Sequence, residues 1–314
     1  MDIVFMGTPD FSVPILKGLI ENDYTVSAVV TQPDRPKGRK KKLTPPPVKV
    51  EAERHGLEVL QPETLKKEEQ IQAIIEKNPD LIVTAAYGQI LPEELLKAPK
   101  LGSINVHASL LPKYRGGAPI HQAIIDGEEK TGVTIMYMVK ELDAGDMLAQ
   151  KEVEITYTDT VGSLHDKLSI VGRELLLETI PQLQAGTLQP TPQNEAEATF
   201  APNIQRGQEE INWERTALDI YNQVRGMNPW PVAYTTYKEH SFKIWSVGVD
   251  SHTRTDKFSP GTIVEISANR LLVAAGEGTA ITVEELQPAG KKKMPIADFL
   301  NGKHELDVGE RLGQ

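Results

Sequence analysis

In the first third of the chain, short apolar runs alternate with stretches whose apolar positions recur every three or four residues. Asp2–Met6 (DIVFM) reads as a buried strand. It leads through Gly7-Thr8-Pro9 into a helix with Ser12 as N-cap, Pro14 in the tolerant first turn, and Ile15, Leu16, Leu19 and Ile20 on one face. Further strands are predicted over 25–31, 58–60, 80–85, 102–106 and 131–138, and helices near 46–55, 67–77 and 118–126. Strands alternating with helices predict βαβ units and a largely parallel sheet. Val161, Leu164, Leu168, Val171 and Leu175 then mark one long helix, a stripe suited to packing on that sheet.

The pattern changes after this helix. Gly186, Pro190, Pro192, Pro202 and Gly207 interrupt a stretch with little apolar periodicity. Beyond it, a short helix near 215–225 precedes β-rich segments at 232–237, 242–249, 261–266, 271–274 and 281–286. Short strands at near-regular spacing predict a small barrel of OB-like kind. The expected organisation is an α/β catalytic domain over 1–189, a linker over 190–207 and a C-terminal domain over 208–314.

Composition narrows the chemistry. The 314 residues include no cysteine, which excludes a disulfide scaffold, a thiolate nucleophile, an iron–sulfur cluster and a cysteine zinc site. This fits a reducing cytoplasm. No apolar run approaches the length of a membrane span, so no membrane partner is expected. A net charge of −10 argues at first against nucleic acid. Neither part of the chain is basic overall, but Arg35, Lys37, Arg39, Lys40, Lys41 and Lys42 fall within eight acid-free residues, and Lys291, Lys292 and Lys293 form a second cluster. A phosphate backbone meets such islands locally, whereas net charge averages them away.

Ligands of open α/β sheets bind beyond the carboxyl ends of the strands. Gly7-Thr8-Pro9 lacks the glycine pattern of a dinucleotide site. Ala86-Tyr87-Gly88 follows a strand and could form part of a flat pocket. The richest segment is Asn105 to Pro119, NVHASLLPKYRGGAP. Asn105 and His107, two residues apart on a strand, share a face. The loop that follows, Ser109-Leu110-Leu111-Pro112 and Arg115-Gly116-Gly117, has a backbone that could wrap a planar ligand. Asp143 or Asp146, after the TGVTIMYM strand, could orient the imidazole. No nucleophile elbow and no metal-ligand spacing is present, so no metal is expected. An Asn, His, Asp set without a nucleophile fits direct transfer between two bound substrates, with oxyanion stabilisation and proton transfer from the protein.

FMGTPDFSVP, VTQPDRPKGRKKKLTPPPVK, INVHASLLPKYRGGAPI, TGVTIM, ELDAGDM, NPWPVA and LQPAGKKKM occur in order over nearly the whole chain. Together they closely resemble the methionyl-tRNA formyltransferase family. The resemblance implies a Rossmann-like formyltransferase domain and a C-terminal OB-like domain that helps hold tRNA. It implies Asn105, His107 and Asp143 as catalytic residues, with Ser109, Leu110, Leu111 and Pro112 against the folate. Tyr87 and Gly88 are added as candidate folate contacts from the reading of their segment. The family's basic insertion falls on residues 34–47, with Arg39 at the matching arginine, and Asn203 departs from a frequent lysine.

The expected function is transfer of a formyl group from 10-formyltetrahydrofolate to methionine on initiator methionyl-tRNA, by a cytoplasmic monomer. Two alternatives remain at this point. One is a formyltransferase acting on a small amine such as an amino sugar or glycinamide nucleotide; the other is a non-catalytic RNA-binding protein on the same scaffold. The sixteen-residue connection from Gln32 to Pro47 is long for a compact domain, and its cations predict a loop that orders on RNA.

Overall fold

Five successive buried residues, Ile3 to Gly7, make β1 (Asp2–Gly7) a strand covered on both faces. In chain order the following elements are α1 (Val13–Glu21), β2 (Thr25–Val30), the short strands β3 (Arg35–Lys37) and β4 (Lys42–Thr44), α2 (Pro47–Arg54), β5 (Val59–Leu60) and α3 (Glu68–Ile75). Then come β6 (Leu81–Ala85), α4 (Glu93–Lys97), β7 (Ser103–His107), α5 (Pro119–Ile125), β8 (Lys130–Tyr137), β9 (Met147–Glu154) and α6 (Val161–Ala185). The computed structural model describes residues 1–38 and 40–314, so Arg39 lies outside the described residues.

Seven strands form one sheet in the order β5-β2-β1-β6-β7-β8-β9. Pairing is parallel from β5 to β7 and antiparallel from β7 to β9. The winding leaves β1 toward β2 on one side and toward β6 on the other, so the carboxyl ends of β1 and β6 flank the switch point. Val4, Met6, Ala28, Val30 and Ile82 point to one face, where they pack with Ile71 and Ile74 of α3 and Leu95 and Leu96 of α4. The long stripe expected to cover the sheet is α6, which extends to Ala185 with Pro181 inside it.

Several local expectations change. Ser12 stands at the N-cap of α1 but makes no cap bond; its hydroxyl donates to the carbonyl of Ala85 at 2.5 Å and ties the start of α1 to the end of β6. The basic connection forms an antiparallel hairpin, β3 with β4, that pairs Arg35 with Thr44 and Lys37 with Lys42. Neither β9, with its alternating burial, nor the short α4 is among the elements the apolar pattern predicts.

Contacts divide the chain into two units. The first comprises Met1–Pro119, Lys130–Glu154 and His165–Pro202, and the second comprises Ile120–Glu129, Ile155–Leu164 and Asn203–Gln314. The stretch expected to be a linker from residue 190 therefore belongs, as far as Pro202, to the first unit. Backbone bonds explain this: Thr191 exchanges two with Met147, Arg115 donates to Thr199, and Ala201 donates to Arg115. In the second unit, Arg225 donates to the carbonyls of Thr156 and Asp159, and His121 lies 2.8 Å from the carbonyl of Gly226, which draws both short inserts to it.

The second unit is an OB-like β domain. Its helix α7 (Ala217–Gly226) is N-capped by Thr216. Strands β10 (Ala233–Tyr237), β11 (His240–Asp250), β12 (Ile263–Ser267), β13 (Arg270–Ala274) and β14 (Ala280–Pro288) run antiparallel in the order β10-β11-β14-β13-β12, with β15 (Met294–Pro295) on β14. Its core includes Trp213, Ile220, Val224, Ile244, Val273, Ile281 and Phe299, the last from α8 (Ile296–Asn301).

No helix among the described residues is long and apolar enough to cross a membrane. The helix α6 lies close to the sheet at Gly172, where an added Cβ would lie 2.8 Å from Cγ1 of Val106 on β7. Gly172→Leu is therefore expected to lower stability by about 1–3 kcal/mol through overpacking. Urea unfolding monitored by circular dichroism measures it.

Candidate active site

The pairing of β6, β7 and β8 sets the first two site residues. Asn105 pairs with Thr84 on β6 and Met136 on β8, and His107 pairs with Thr134 on β8. The Thr84 hydroxyl lies 2.8 Å from Asn105 Oδ1, so the amide is oriented with its NH2 group left for another partner. His107 is buried, at 6% exposure, and its Nε2 lies 3.0 Å from the carbonyl oxygen of Tyr114. A carbonyl only accepts, so this nitrogen carries the proton. The ring nitrogen left to face a ligand is Nδ1.

Asp143 stands on that same side. Its Oδ2 is 3.8 Å from His107 Nδ1, within ion-pair range but long for a hydrogen bond. Oδ2 also accepts from the backbone N–H of Gly116 at 2.8 Å. Oδ1 has no hydrogen-bond partner among the described residues. Asp146, the other candidate, is exposed and uses its carbonyl to accept from Tyr137 N–H. Of the two carboxylates that the sequence leaves open, only Asp143 meets the imidazole.

The turn after His107 is closed by its own hydrogen bonds. Ser109 donates to the Lys113 carbonyl at 2.6 Å, while the Thr134 hydroxyl donates to Ser109 O at 2.7 Å and accepts from Leu111 N–H at 3.1 Å. Ser109 and Leu111 are buried, and Leu110 and Pro112 are half-buried. Past the turn, Gly116 has φ +116°, and an added Cβ would stand 2.7 Å from the Ala201 carbonyl. No other residue allows the chain to pass there with its N–H aimed at Asp143.

Beside β6, Ala86 and Gly88 are exposed and have left-handed backbones. Tyr87 between them is buried. It is 3% exposed within the core of β1, β2, α3 and α4, and burial pushes its phenol pKa up. Its carbonyl accepts from Thr8 Oγ1 and Gln32 Nε2. The same Gln32 opens the basic hairpin's stem, where the Asp34 carboxylate receives bonds from Gln61 at 2.7 Å and Lys49 at 3.0 Å. Those two bonds hold Asp34 below the usual carboxylate range.

Arg35, Lys37, Lys40, Lys41 and Lys42 are all exposed, and none has an ion-pair partner among the described residues. In the second unit, Lys291 and Lys292 are exposed, but Lys293 pairs with Glu285 at 2.7 Å and stacks 4.9 Å from the Trp245 ring. Asn203, on the exposed stretch beyond Pro202, uses its carbonyl to accept from Gln205.

Sequence reasoning missed Thr84, Tyr114 and Thr134. Thr84 and Thr134 act through hydroxyls that strand register brings to the site, and Tyr114 through its backbone carbonyl, placements that residue type alone does not mark. Sequence reasoning placed Arg115 in a ligand-wrapping loop but gave its side chain no task; Arg115 is 3% exposed and its guanidinium binds Glu195 through two nitrogens at 3.0 and 2.7 Å. The RGG run held that signal, since an arginine inside a glycine turn next to a histidine strand needs a partner if it is buried.

The chain matches the Formyl transferase family over residues 1–180 and the Formyl transferase, C-terminal domain family over residues 203–304. It is 61% identical over 312 residues to a methionyl-tRNA formyltransferase of Geobacillus sp. (strain WCH70), covering 99% of this chain and 98% of that one. It is 58% identical over 311 residues to the methionyl-tRNA formyltransferase of Bacillus subtilis (strain 168), covering 99% and 97%. Among solved structures, a sugar 3N-formyl transferase, WlaRD, determined with dTDP and 5-N-formyl-THF, superposes with a TM-score of 0.66 at 18% identity, covering 93% of this chain and 99% of that one. At that identity the likeness speaks for the fold alone.

The hydrogen bonds from Arg115, then its charge, hold the Glu195 carboxyl below the ordinary glutamate value. A carboxyl whose folded pKa is depressed adds stability above its unfolded value of about 4.3 and loses it as pH falls through the folded value. The amides of Thr199 and Ala201, bonded to Pro112 O and Arg115 O, are expected to keep equal protection from hydrogen exchange at pH 6 and 5. Their protection should decline as pH falls further, through the depressed value of Glu195.

Proposed function

Because the chain belongs to the methionyl-tRNA formyltransferase family, we propose that Asn105, His107 and Asp143 form the centre at which a formyl group passes to the α-amino group of methionine on initiator tRNA. The observation that carries this reading is the His107 ring, whose Nε2 is committed to Tyr114 O while Nδ1 stands beside Asp143 on the same strand face as Asn105. The donor is 10-formyltetrahydrofolate, which supplies the carbonyl carbon that the amine attacks and departs as tetrahydrofolate with a proton on its nitrogen.

The chain's own residues then have separable tasks. Asn105 donates through its NH2 group to the carbonyl oxygen as negative charge grows there, an interaction of about 2.7–4 kcal/mol in comparable sites. His107 in its charged form donates from Nδ1, because Nε2 is already bonded. Asp143 balances that charge from 3.8 Å, and its free Oδ1 takes up the proton shed by the attacking amine. Gly116 N–H keeps the other carboxylate oxygen in place. The chain contains no cysteine, and this reaction needs no protein nucleophile, since the tRNA ester brings its own amine.

Support for the folate reading comes from the half-buried Leu110 and Pro112 and from the exposed backbone of Ala86 and Gly88, surfaces suited to a flat ring. Ser109, Leu111 and Tyr87 complete the proposed folate set, with Ser109 and Leu111 held within the turn and Tyr87 in the core. For tRNA, the exposed cations of the β3–β4 hairpin supply phosphate contacts, with Arg39 expected to join them from outside the described residues. Lys291 and Lys292 offer further contacts, and Lys293 does so only on leaving Glu285. In this reading the protein is a cytoplasmic monomer that serves translation initiation.

His107→Ala and Asn105→Ala are each expected to lower kcat by roughly 10²–10³-fold with small changes in either KM. Asp143→Asn is expected to fall in the same range. Stopped-time assays of formyl-methionyl-tRNA measure this, and normal turnover in any of the three would remove that residue from the centre.

Alanine at Arg35, Lys37, Lys40, Lys41 and Lys42 together is expected to weaken tRNA binding and flatten its salt dependence, the slope falling by about 0.7–0.9 for each phosphate no longer neutralised. Folate affinity should stay unchanged. A comparison of methionyl initiator tRNA, methionyl elongator tRNA and free methionine as acceptors tests the substrate, and equal use of free methionine would contradict it.

A further inference from the structure

Gln193 lies in the proline-interrupted stretch after α6, where nothing in the apolar pattern asks for an ordered polar side chain. Yet its amide is fully engaged. Nε2 donates to the carbonyl oxygens of Asp143 at 2.7 Å and Gly145 at 2.8 Å. Oε1 accepts from Arg115 Nε at 3.1 Å and from Arg115 Nη2 at 2.8 Å. A guanidinium only donates and a carbonyl only accepts, so the amide can lie only one way round. Arg115 is itself fixed, since it is buried and gripped by the Glu195 carboxylate.

On the other side of the amide, the backbone is in an unusual state. Asp143 has φ +49°, in the left-handed region that non-glycine residues adopt sparsely and aspartate more readily than most. The two bonds from Gln193 land on the carbonyls of Asp143 and of the residue two further on. Released from them, the backbone would relax and the Asp143 carboxylate would swing from its place between Gly116 N–H and His107 Nδ1.

We propose that Gln193 is a positioning residue for Asp143, anchored by Arg115 and acting on the reaction only through the backbone that presents that carboxylate. The proposal rests on the reading of Asp143 as part of the reaction centre. It assigns the stretch after α6 a part in turnover beyond joining two regions of the chain. The line of contact runs from Arg115 through Gln193 to Asp143, and neither Arg115 nor Gln193 touches a reacting atom.

Gln193→Glu separates anchoring from positioning. Its carboxylate still accepts from Arg115 but has no N–H for the two carbonyls. The expected result is a fall in kcat of about 10–100-fold, as for a catalytic group displaced by roughly 1 Å, with either KM changed by less than about threefold. Gln193→Met, of similar length and without a donor, should show the same split between kcat and KM and serves where the charged variant folds poorly. Combined with Asp143→Asn, Gln193→Glu should add less than about twofold to the loss, because both changes disable one unit.

Near-normal kcat in Gln193→Glu and Gln193→Met beside a disabled Asp143→Asn would overturn the proposal and leave the role of Asp143 standing. A double variant well below Asp143→Asn alone would overturn it too, since Gln193 would then act elsewhere. Normal turnover in Asp143→Asn would take down the underlying reading and the proposal with it.

Discussion

The hydrogen bond between His107 Nε2 and the carbonyl oxygen of Tyr114 removes one of the ring's two nitrogens from any role toward a ligand and turns the other toward Asp143. That carbonyl is itself held in place. Tyr114 has φ +61°, its N–H donates to Thr199 Oγ1 at 2.9 Å, and the next residue pairs with Thr199 and Ala201 through its backbone. The orientation of the imidazole therefore depends on a stretch of chain more than eighty residues downstream. With those backbone bonds gone, neither Tyr114 nor Gly116 would keep its conformation, and His107 and Asp143 would lose their common side.

Burying Arg115 in the same place is an electrostatic burden that the fold offsets with directed bonds. An isolated guanidinium in the interior would be strongly unfavourable. Here its charge meets the Glu195 carboxylate, and two further bonds from the guanidinium go to the Gln193 amide oxygen. The arginine thereby links the turn after β7, the stretch after α6 and the Asp143 loop, three segments distant in sequence. Its value lies in specifying one arrangement more than in net stabilisation, since a buried ion pair returns little against its desolvation.

Much of this is readable from the chain. Continuous apolar runs mark the parallel strands, and the two-residue spacing of Asn105 and His107 at a strand end marks the site, because side-chain alternation is a local property. The stretch from 190 to 202 is not readable. Its prolines and lack of apolar period suggest a linker, but it is held by backbone pairing and by Gln193 and Thr199, interactions with no periodic signature. Residue spacing leaves Asp143 and Asp146 equivalent, and only the family resemblance favours Asp143, because the difference turns on backbone dihedrals that residue type does not encode. The burial of Tyr87 is equally hidden, because an aromatic flanked by small residues looks the same in sequence whether it lines a pocket or plugs a core.

Everything proposed for the centre turns on which nitrogen of His107 faces the reaction. Nitrogen-15 NMR of the imidazole in the free protein at neutral pH tests this directly, because the two tautomers have distinct shifts and one-bond couplings. The expected result is that Nε2 bears the proton and is hydrogen-bonded to a carbonyl, with Nδ1 the nitrogen whose signal moves when substrates bind. A neutral ring protonated at Nδ1, with Nε2 bare and responding to substrate, would contradict it.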